Sequence, residues 1–419
     1  MRQFTTKFVL FLFASPLLST SIAAEDWTEF RGPFGNGHST ATGIPRSWSE
    51  TDHVAWKSPI EGIGWSSPVV GGDLIYLTTA VPVADSRKHD LMVLCVSAAD
   101  GQRVWSTTVF QQNDADVEMH RKNSPASATP ILEGDRLYVH FGSQGTACLD
   151  TAGKVLWKNA DLKYKSQHGN GGCPAIHNDV MIICCDGRDE RYVVGLNKNT
   201  GTQIWRTERE LSPSRGFSFC TPTLIEVDGK SQAICPGSGG VWAYDPASGK
   251  QIWRVSYGEG YSVVPRPIFA HGLIYVCSGF GDSQVFAIDP RGTGDITASH
   301  VRWQSKKGIP KSPSLMIVGQ ELYMVDDRGI ASCRDALSGE IHWQERFQGG
   351  FSASPSYADG LIFFQNETGE TTVIRAGVEF DLVGKSQLGD GKLRTFASFG
   401  FVDSSILLRN ETHLYRLSQ

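Results

Sequence analysis

The sequence lacks any apolar stretch, after its first two dozen residues, that approaches the roughly 20 residues a membrane-spanning helix needs. It also lacks a basic arm, since 39 Lys and Arg are outnumbered by 44 Asp and Glu and the formal net charge is -5. A general nucleic-acid-binding protein normally carries a basic face that releases counterions from phosphates. No helical heptads stand out. These absences argue against a transmembrane-helix protein, a coiled coil and a nucleic-acid binder.

The first 24 residues have the pattern of a secretory signal peptide. Arg2 and Lys7 precede a short apolar run from Phe8 to Leu18, and Ser21 to Ala24 offers small residues for cleavage. No Cys follows these small residues, so we expect no lipid anchor at that site. We therefore expect a protein that is exported to a periplasm or secreted to the medium.

One short pattern recurs along most of the chain. In its clearest copy, Val241 to Trp253, an apolar run reaches an Asp, a Ser-Gly turn follows, and a second run ends at a Trp. This order predicts a strand, a tight turn and a returning strand. The repeat Trp residues, 40 to 52 positions apart, are Trp56, Trp105, Trp157, Trp205, Trp253, Trp303 and Trp343. A period of this length with several short strands is typical of a β-propeller.

Each period also opens with a small residue and a Pro, as in Ser66-Ser67-Pro68 and Ser312-Pro313, which predicts the first of four strands. Seven periods are complete, but the last copy, Thr395 to Leu417, lacks a fourth strand. We expect His53 to Ser58 to supply it, because pairing the two chain ends removes open sheet edges. We therefore predict an all-β fold, an eight-bladed propeller of four-stranded antiparallel blades over residues 53–419. Residues 25–52 form a lead-in segment that packs on the propeller.

The recurring Asp, Thr/Ser-Gly turn and Trp resemble the Trp-docking motif of pyrroloquinoline-quinone-type eight-bladed propellers. Residues that recur in register are Asp150, Asn197, Asp245 and Asp335 with Gly153, Gly201, Gly249 and Gly339. The resemblance covers roughly Trp56 to the C-terminus and implies that each Trp docks against the neighbouring blade. Two kinds of protein share this motif: quinoprotein alcohol dehydrogenases, and cofactor-free propellers such as the lipoprotein of the Bam complex. The lead-in from Trp27 to Gly37 also looks like that of exported planctomycete-type propellers.

The adjacent Cys184 and Cys185 resemble the vicinal disulfide of quinoprotein alcohol dehydrogenases. The pair ends the strand that begins at Val180, and successive side chains of a strand point to opposite faces. We therefore expect two strand residues rather than a redox disulfide. No catalytic Asp and no calcium-binding Glu/Asn pair matches the quinoprotein pattern, so we expect no cofactor. Pyrroloquinoline quinone and calcium stay as alternatives.

The segments that precede the first strand of each blade are rich in basic and aromatic side chains. If the first strands line the channel, these segments converge on one mouth. The candidate ligand-binding residues are Trp65, His120, Arg121, Asn123, His168, Arg215, Arg266, Lys311 and Arg394. In a chain of net charge -5 they indicate a small anionic or carbohydrate ligand. An alternative is that these cations pair with nearby carboxylates such as Asp186, Asp282 and Asp327.

His120 and His168 are the candidates for acid/base catalysis, as imidazoles in the predicted mouth. No metal site is expected, because no close-set His pair fits zinc and the acidic loops lack the spacing of an EF-hand. Our prediction is an exported, monomeric propeller that binds a ligand or an envelope protein through its mouth, without quinone chemistry. The alternatives are a dehydrogenase that uses pyrroloquinoline quinone and calcium, and a hydrolase or lyase that acts on polysaccharides.

Overall fold

A computed structural model describes Met1, residues 26–210 and residues 213–419. The expected signal peptide therefore lies, apart from Met1, outside the described residues. Eight four-stranded antiparallel sheets form the blades of a β-propeller, as the sequence predicts. In each blade the first strand is the innermost, because it contacts the first strand of a neighbouring blade, and the fourth lies at the other edge of the sheet.

The strands follow the repeat. Blade 8 takes β1 (Val54–Pro59), and blade 1 contains β2 (Val69–Gly71), β3 (Leu74–Pro82), β4 (Lys88–Ser97) and β5 (Arg103–Asn113). After the short β6 (Glu118–Met119), blade 2 contains β7 (Ile131–Glu133), β8 (Arg136–His140), β9 (Thr146–Asp150) and β10 (Val155–Asn159). After the short β11 (Gln167–His168), blade 3 contains β12 (Ala175–His177), β13 (Val180–Asp186), β14 (Arg191–Asn197) and β15 (Gln203–Glu208). Two 3-10 helices, Asp114–Asp116 and Gly142–Gln144, complete this half.

The second half continues in the same way. Blade 4 contains β16 (Thr223–Val227), β17 (Lys230–Gly237), β18 (Gly240–Tyr244) and β19 (Gln251–Ser256), and blade 5 contains β20 (Ile268–Ala270), β21 (Leu273–Cys277), β22 (Val285–Ile288) and β24 (Val301–Ser305). Between the last two lie β23 (Gly294–Asp295), which adds to the edge of blade 4, and α1 (Thr297–His300). Blade 6 contains β25 (Met316–Val318), β26 (Glu321–Val325), β27 (Ile330–Asp335) and β28 (Ile341–Arg346). Blade 7 contains β29 (Ser356–Ala358), β30 (Leu361–Gln365), β31 (Glu370–Arg375) and β32 (Asp381–Gln387), and blade 8 contains β33 (Gly400–Val402), β34 (Ser405–Arg409) and β35 (His413–Leu417).

The two ends of the chain close the ring, which confirms the predicted pairing. β1 runs antiparallel to β35, with Val54 opposite Leu417 and Trp56 opposite Arg416. The eighth blade is thereby completed by a strand that precedes the first blade in the sequence. No sheet edge is left open between the first and last blades.

The repeat Trp residues hold neighbouring blades together. The Trp105 indole N–H donates to the carbonyl of Thr151 in the next blade at 3.0 Å. The same contact to the following blade is made by Trp56, Trp157, Trp205, Trp303 and Trp343. Gly153 lies against the Trp105 ring with a φ of +88°, and a Cβ there would come within 2.7 Å of the ring. The turn therefore needs glycine both for its left-handed backbone and for the space that the indole fills.

Trp253 is the exception among these Trp residues. Its indole N–H donates to Oε1 of Gln232 in its own blade, at 2.8 Å. The physical reason is that blade 5 replaces the short Gly turn by the longer segment that contains β23 and α1. Trp253 is fully buried beneath this segment.

Hydrogen bonds join neighbouring blades beside the channel at six of the eight junctions, and they explain the small side chains that accept there. The backbone N–H of Cys173 donates to Oγ1 of Thr221 in the next blade at 3.0 Å, and that of Ser354 donates to Oγ of Ser398 at 2.9 Å. Equivalent contacts join Ser67 to Thr129, Thr129 to Cys173, Arg266 to Ser314 and Ser314 to Ser354. In blade 6 the linking residue is thus Ser314, two positions after the Ser that the Pro motif indicates. Each link satisfies a buried backbone donor with a side chain from the next blade.

The lead-in segment crosses one end of the channel. The carbonyls of Trp27 and Thr28 accept hydrogen bonds from Val70 and Leu132 in the first strands of blades 1 and 2. The Arg31 side chain donates to the carbonyl of Leu315 in blade 6, at 2.6 Å. Farther along, Trp48 joins the buried cluster that includes residues of blades 7 and 8. The lead-in therefore closes the channel at the end opposite the predicted mouth.

Candidate functional site

A cavity of about 550 Å³ opens at the mouth of the channel. Seven aromatic side chains line it: Phe30, Trp65, Phe217, Phe219, Tyr261, Phe280 and Phe396. Phe30 belongs to the lead-in, so the segment that crosses the channel also contributes to the cavity. The result is a pit with an apolar body, reached from the mouth.

Six of the nine residues predicted to bind a ligand line this pit. They are Trp65, His120, Asn123, His168, Arg215 and Lys311. Arg121, Arg266 and Arg394 are outside the lining. The mouth therefore gathers residues from blades that are far apart in the sequence.

Arg215 and Lys311 are the cations that the pit leaves without a counter-ion. The Arg215 guanidinium lies 4.7 Å from the centre of the Tyr261 ring and donates to the Tyr261 hydroxyl. Lys311 Nζ lies 5.1 Å from the centre of the Phe280 ring. Within the described residues, no carboxylate lies within 4 Å of either charged group. Their contacts are with π-faces, which attract a cation but do not neutralise it.

The carboxylates proposed as alternative partners are taken by other groups. Asp186 is buried against Arg209, at 2.7 Å, and Asp282 pairs with Lys306. Asp327 is the one carboxylate in the lining of the described pit, and it accepts from the Ser312 hydroxyl at 2.7 Å and from two backbone N–H groups. The expectation that these carboxylates neutralise the mouth is therefore wrong for Arg215 and Lys311.

His120 and His168 come together although 48 residues separate them in the sequence. The short strands β6 and β11 pair in parallel and set Met119 opposite His168. The two imidazole rings lie 5.3 Å apart, centre to centre, and His168 also meets the edge of Phe217. Partial burial, the neighbouring His168 ring and the charges of Arg121 and Lys122 lower the pKa of His120. A neutral His120 accepts a hydrogen bond at Nδ1 from the Lys122 backbone, at 3.3 Å.

We name residues 114–123 the strap. It connects blade 1 to blade 2 and contacts residues of blades 7 and 8 and of the connection before blade 3 at the edge of the pit. Lys122 Nζ lies 2.6 Å from Oε1 of Glu367 in blade 7. Arg394, at the start of blade 8, donates to the carbonyl of Arg121 at 3.1 Å. Arg394 also pairs with Glu411 and covers the Trp65 ring. Arg121 and Arg394 thus shape the rim rather than face the pit.

Arg266 has a different position from the one predicted. It is buried, and its Nη1 donates to Glu29 at 2.9 Å and to the carbonyl of Phe30 at 2.7 Å. Burial raises the pKa of Glu29, and Arg266 offsets this only in part. Burial also lowers the pKa of nearby Arg31 to about 9. Arg266 therefore anchors the lead-in below the pit.

The vicinal cysteines are strand residues. All nine cysteines of the chain are free in the structure. Cys185 packs among Tyr164 and Tyr192, whereas Cys184 faces a separate cluster that includes Cys235. Neither lies in the lining of the pit.

Apart from Trp65, the aromatic side chains of the walls were not among the predicted ligand-binding residues. Phe217 and Phe219 are alternate residues just before the Thr221-Pro222 that opens blade 4, and Phe396 holds the same place before Ser398. Alternate residues of an extended segment point to the same side. Aromatics at two-residue spacing before the opening motif were therefore a readable signal.

The pit does not fit a calcium-bound cofactor. Within the described residues, no three His, Cys, Asp or Glu side chains are grouped so as to hold a metal ion. Calcium takes six to eight oxygen ligands, often several carboxylates, and the lining offers one carboxylate whose oxygens already accept three hydrogen bonds.

No helix in the part of the chain that the structure describes is long and apolar enough to cross a membrane.

The fold defines an eight-bladed propeller with a Trp-docked repeat. A family model described as outer membrane protein assembly factor BamB matches residues 39–188, 89–344 and 282–379. The chain belongs to this family of pyrroloquinoline-quinone-like propellers. The resemblance stated from the repeat is confirmed.

Three relatives illustrate the range of proteins similar to this chain. BamB of Burkholderia pseudomallei (strain K96243) is 23% identical over 290 residues, which cover 66% of this chain and 64% of that protein. Methanol dehydrogenase [cytochrome c] subunit 1 of Methylobacterium organophilum is 25% identical over 146 residues, 31% of this chain and 23% of that protein. The structure of quinohemoprotein alcohol dehydrogenase from Comamonas testosteroni superimposes with a TM-score of 0.66 at 12% identity, covering 93% of this chain and 80% of that one. The matched region thus spans less than a quarter of the methanol dehydrogenase subunit, and the structural likeness shows the fold alone.

Proposed function

We propose that this protein binds a small organic anion with an apolar body in the pit at its channel mouth. The observation that carries the proposal is the pair of cations, Arg215 and Lys311, each placed on an aromatic ring and without a carboxylate partner among the described residues. A volume of about 550 Å³ lies within the range of ~300–1,000 Å³ typical of ligand pockets. An anion that pairs with both cations would exchange its hydration for charge-assisted hydrogen bonds.

The distribution of charge around the pit supports this class of ligand. Lys122 is already paired with Glu367, so the cations without an ion-pair partner, Arg215 and Lys311, lie on the opposite wall, in blades 4 and 6, where Asp327 is the single carboxylate of the lining. Seven aromatic side chains supply the apolar contact. The lining also carries nine Ser and Thr side chains, so an acidic carbohydrate such as a uronic or sulfated sugar is a narrower alternative within this class. Export, which rests on the N-terminal pattern, is part of the proposal.

A protein-binding scaffold is the second candidate. The BamB relative, an assembly factor by name, matches two thirds of this chain, compared with about a third for the methanol dehydrogenase subunit. A scaffold would use the rim of the mouth, including Arg121 and Arg394, rather than the pit. Dehydrogenase action has less support, because the lining lacks the carboxylates that calcium prefers.

The test is to recover the ligand. Protein purified under mild conditions from its native cells is measured by native mass spectrometry and then denatured, and the released small molecules are detected in negative-ion mode. We expect one released anion per chain, which the Arg215→Met/Lys311→Met variant fails to retain. If the pit is empty in both wild type and variant, and both capture the same envelope protein, anion binding is contradicted and the scaffold function is supported.

A further inference from the structure

The strap has no buried side chain. Each of its ten residues, from Asp114 to Asn123, is half-buried or exposed. The strap is therefore held by polar contacts and by the short pairing of β6 with β11, without a hydrophobic anchor of its own. Segments with few buried contacts open at a lower free-energy cost than the core around them.

The C-terminal end of the strap is fastened to the rim of the mouth at two points. Lys122 reaches Glu367 in blade 7, and the carbonyl of Arg121 accepts from Arg394 at the start of blade 8. The strap leaves blade 1 and enters blade 2, and these two contacts tie it to blades 7 and 8. This position puts the strap beside the entrance to a pit whose far end is closed by the lead-in.

Glu367 is held in place by several hydrogen bonds besides its contact with Lys122. Its Oε1 accepts from the Ser352 hydroxyl, at 2.5 Å, as well as from Lys122. Its backbone N–H donates to Gly350, and its carbonyl accepts from Thr395 in blade 8. The Glu367 side chain is 18% exposed and that of Lys122 is 34% exposed, so water screens the ion pair only in part. Lys122 is the strap's side of the contact, and Glu367 is the propeller's side.

We propose that the strap is a lid over one side of the pit and that the Lys122–Glu367 ion pair is a latch that holds it where it narrows the entrance. This inference rests on the proposed function, because it specifies how the same site is regulated. When the latch opens, the entrance widens and a ligand enters faster.

Glu367→Gln removes the charge of the latch and keeps its shape. The matched control is Glu133→Gln, which removes the charge from an ion pair of the same length, 2.6 Å to Lys198, away from the mouth. Hydrogen exchange of the strap amides reports on the latch without any ligand. Stopped-flow fluorescence with N-phenyl-1-naphthylamine reports on entry, and because this probe is uncharged, its association rate does not respond to the altered charge of the mouth.

We expect Glu367→Gln to raise both the exchange rate of the strap amides and the association rate of the neutral probe, by about threefold or more, while Glu133→Gln changes neither. Unchanged exchange of the strap would overturn the latch. Faster exchange with an unchanged association rate would overturn the lid, because the strap would then open without controlling entry. The proposed function fails in a different way, through a pit that binds neither this probe nor its anionic analogue, 8-anilinonaphthalene-1-sulfonate.

Discussion

The guanidinium of Arg266 in blade 5 donates a 2.9 Å hydrogen bond to the carboxylate of Glu29 in the lead-in. The bond joins residues 237 positions apart and fixes the lead-in across the channel. The pit above it is closed at one end because of this contact and of the neighbouring Arg31 hydrogen bonds. A ligand site at the mouth thus depends on a segment that precedes the propeller in the sequence.

Breaking this ion pair from one side is expected to cost more than removing both charges. Arg266→Met leaves the Glu29 carboxylate in surroundings that already raise its pKa, and should lower the free energy of unfolding by about 3 kcal/mol. Glu29→Gln/Arg266→Met should lose less than Arg266→Met alone, because no uncompensated charge remains. Urea denaturation measures these two variants and Glu29→Gln alone. A double variant that loses the sum of the two single losses would show that the residues do not interact.

The hydrogen bonds around the channel should each contribute measurably to stability. Thr221→Val keeps the shape of the side chain but deprives the buried Cys173 N–H of its acceptor. We expect a loss of about 1–3 kcal/mol in the free energy of unfolding, the cost of an unsatisfied buried donor. The exposed Thr108→Val is the control and should change it by less than about 0.5 kcal/mol. Equal losses in the two variants would show that these hydrogen bonds do not stabilise the ring.

His140 should make the protein less stable in acid. It is buried in blade 2, and burial lowers its pKa from 6.5 to about 4. Below pH 6.5 the unfolded chain binds a proton that the folded state excludes, so stability falls as the pH drops towards 4. The loss from this group should reach about 3 kcal/mol, at ~1.4 kcal/mol for each pH unit. In His140→Gln this part of the pH dependence should disappear, whereas in the exposed His342→Gln it should remain.

The affinity for an anion should rise as the pH falls. Its surroundings lower the pKa of His120, so near neutral pH the ring is uncharged, and in acid it adds a positive charge to the pit. An anion bound beside it favours the protonated ring, and the dissociation constant for 8-anilinonaphthalene-1-sulfonate should therefore decrease between pH 7 and pH 5. His120→Gln/His168→Gln should flatten this dependence. An unchanged slope in the double variant would place the bound anion away from the His pair.

The architecture was readable from the sequence because a repeat states the same local structure many times. The Trp intervals predicted the number of blades. The last copy contains only three strands, so it predicted that a strand from the other end of the chain completes the eighth blade. The position of Arg266 could not be predicted in this way. It precedes Pro267 as Thr221 precedes Pro222, so the repeat placed it at the channel. Which end of the channel its long side chain reaches depends on the lead-in, which lies outside the repeat.

The pit was only partly predictable for the same reason. Convergence of Trp65, Arg215 and Lys311 follows from the propeller geometry. The meeting of His120 with His168 depends on β6 and β11, two-residue strands in connections that no periodicity specifies. The ion-pair partners of the carboxylates could not be predicted either, because the pairing of Asp186 with Arg209 depends on side-chain packing between blades 3 and 4.

The most direct test of the central claim is the dissociation constant of 8-anilinonaphthalene-1-sulfonate, measured by isothermal titration calorimetry. It is compared for wild type, for Arg215→Met/Lys311→Met, and for Arg103→Met/Lys154→Met, a control that removes two exposed cations that do not line the pit. If Arg215 and Lys311 recognise an anion, we expect one binding site. Its dissociation constant should rise at least about tenfold in the pit variant and less than about twofold in the control. Equal affinity in the wild type and the pit variant would contradict it.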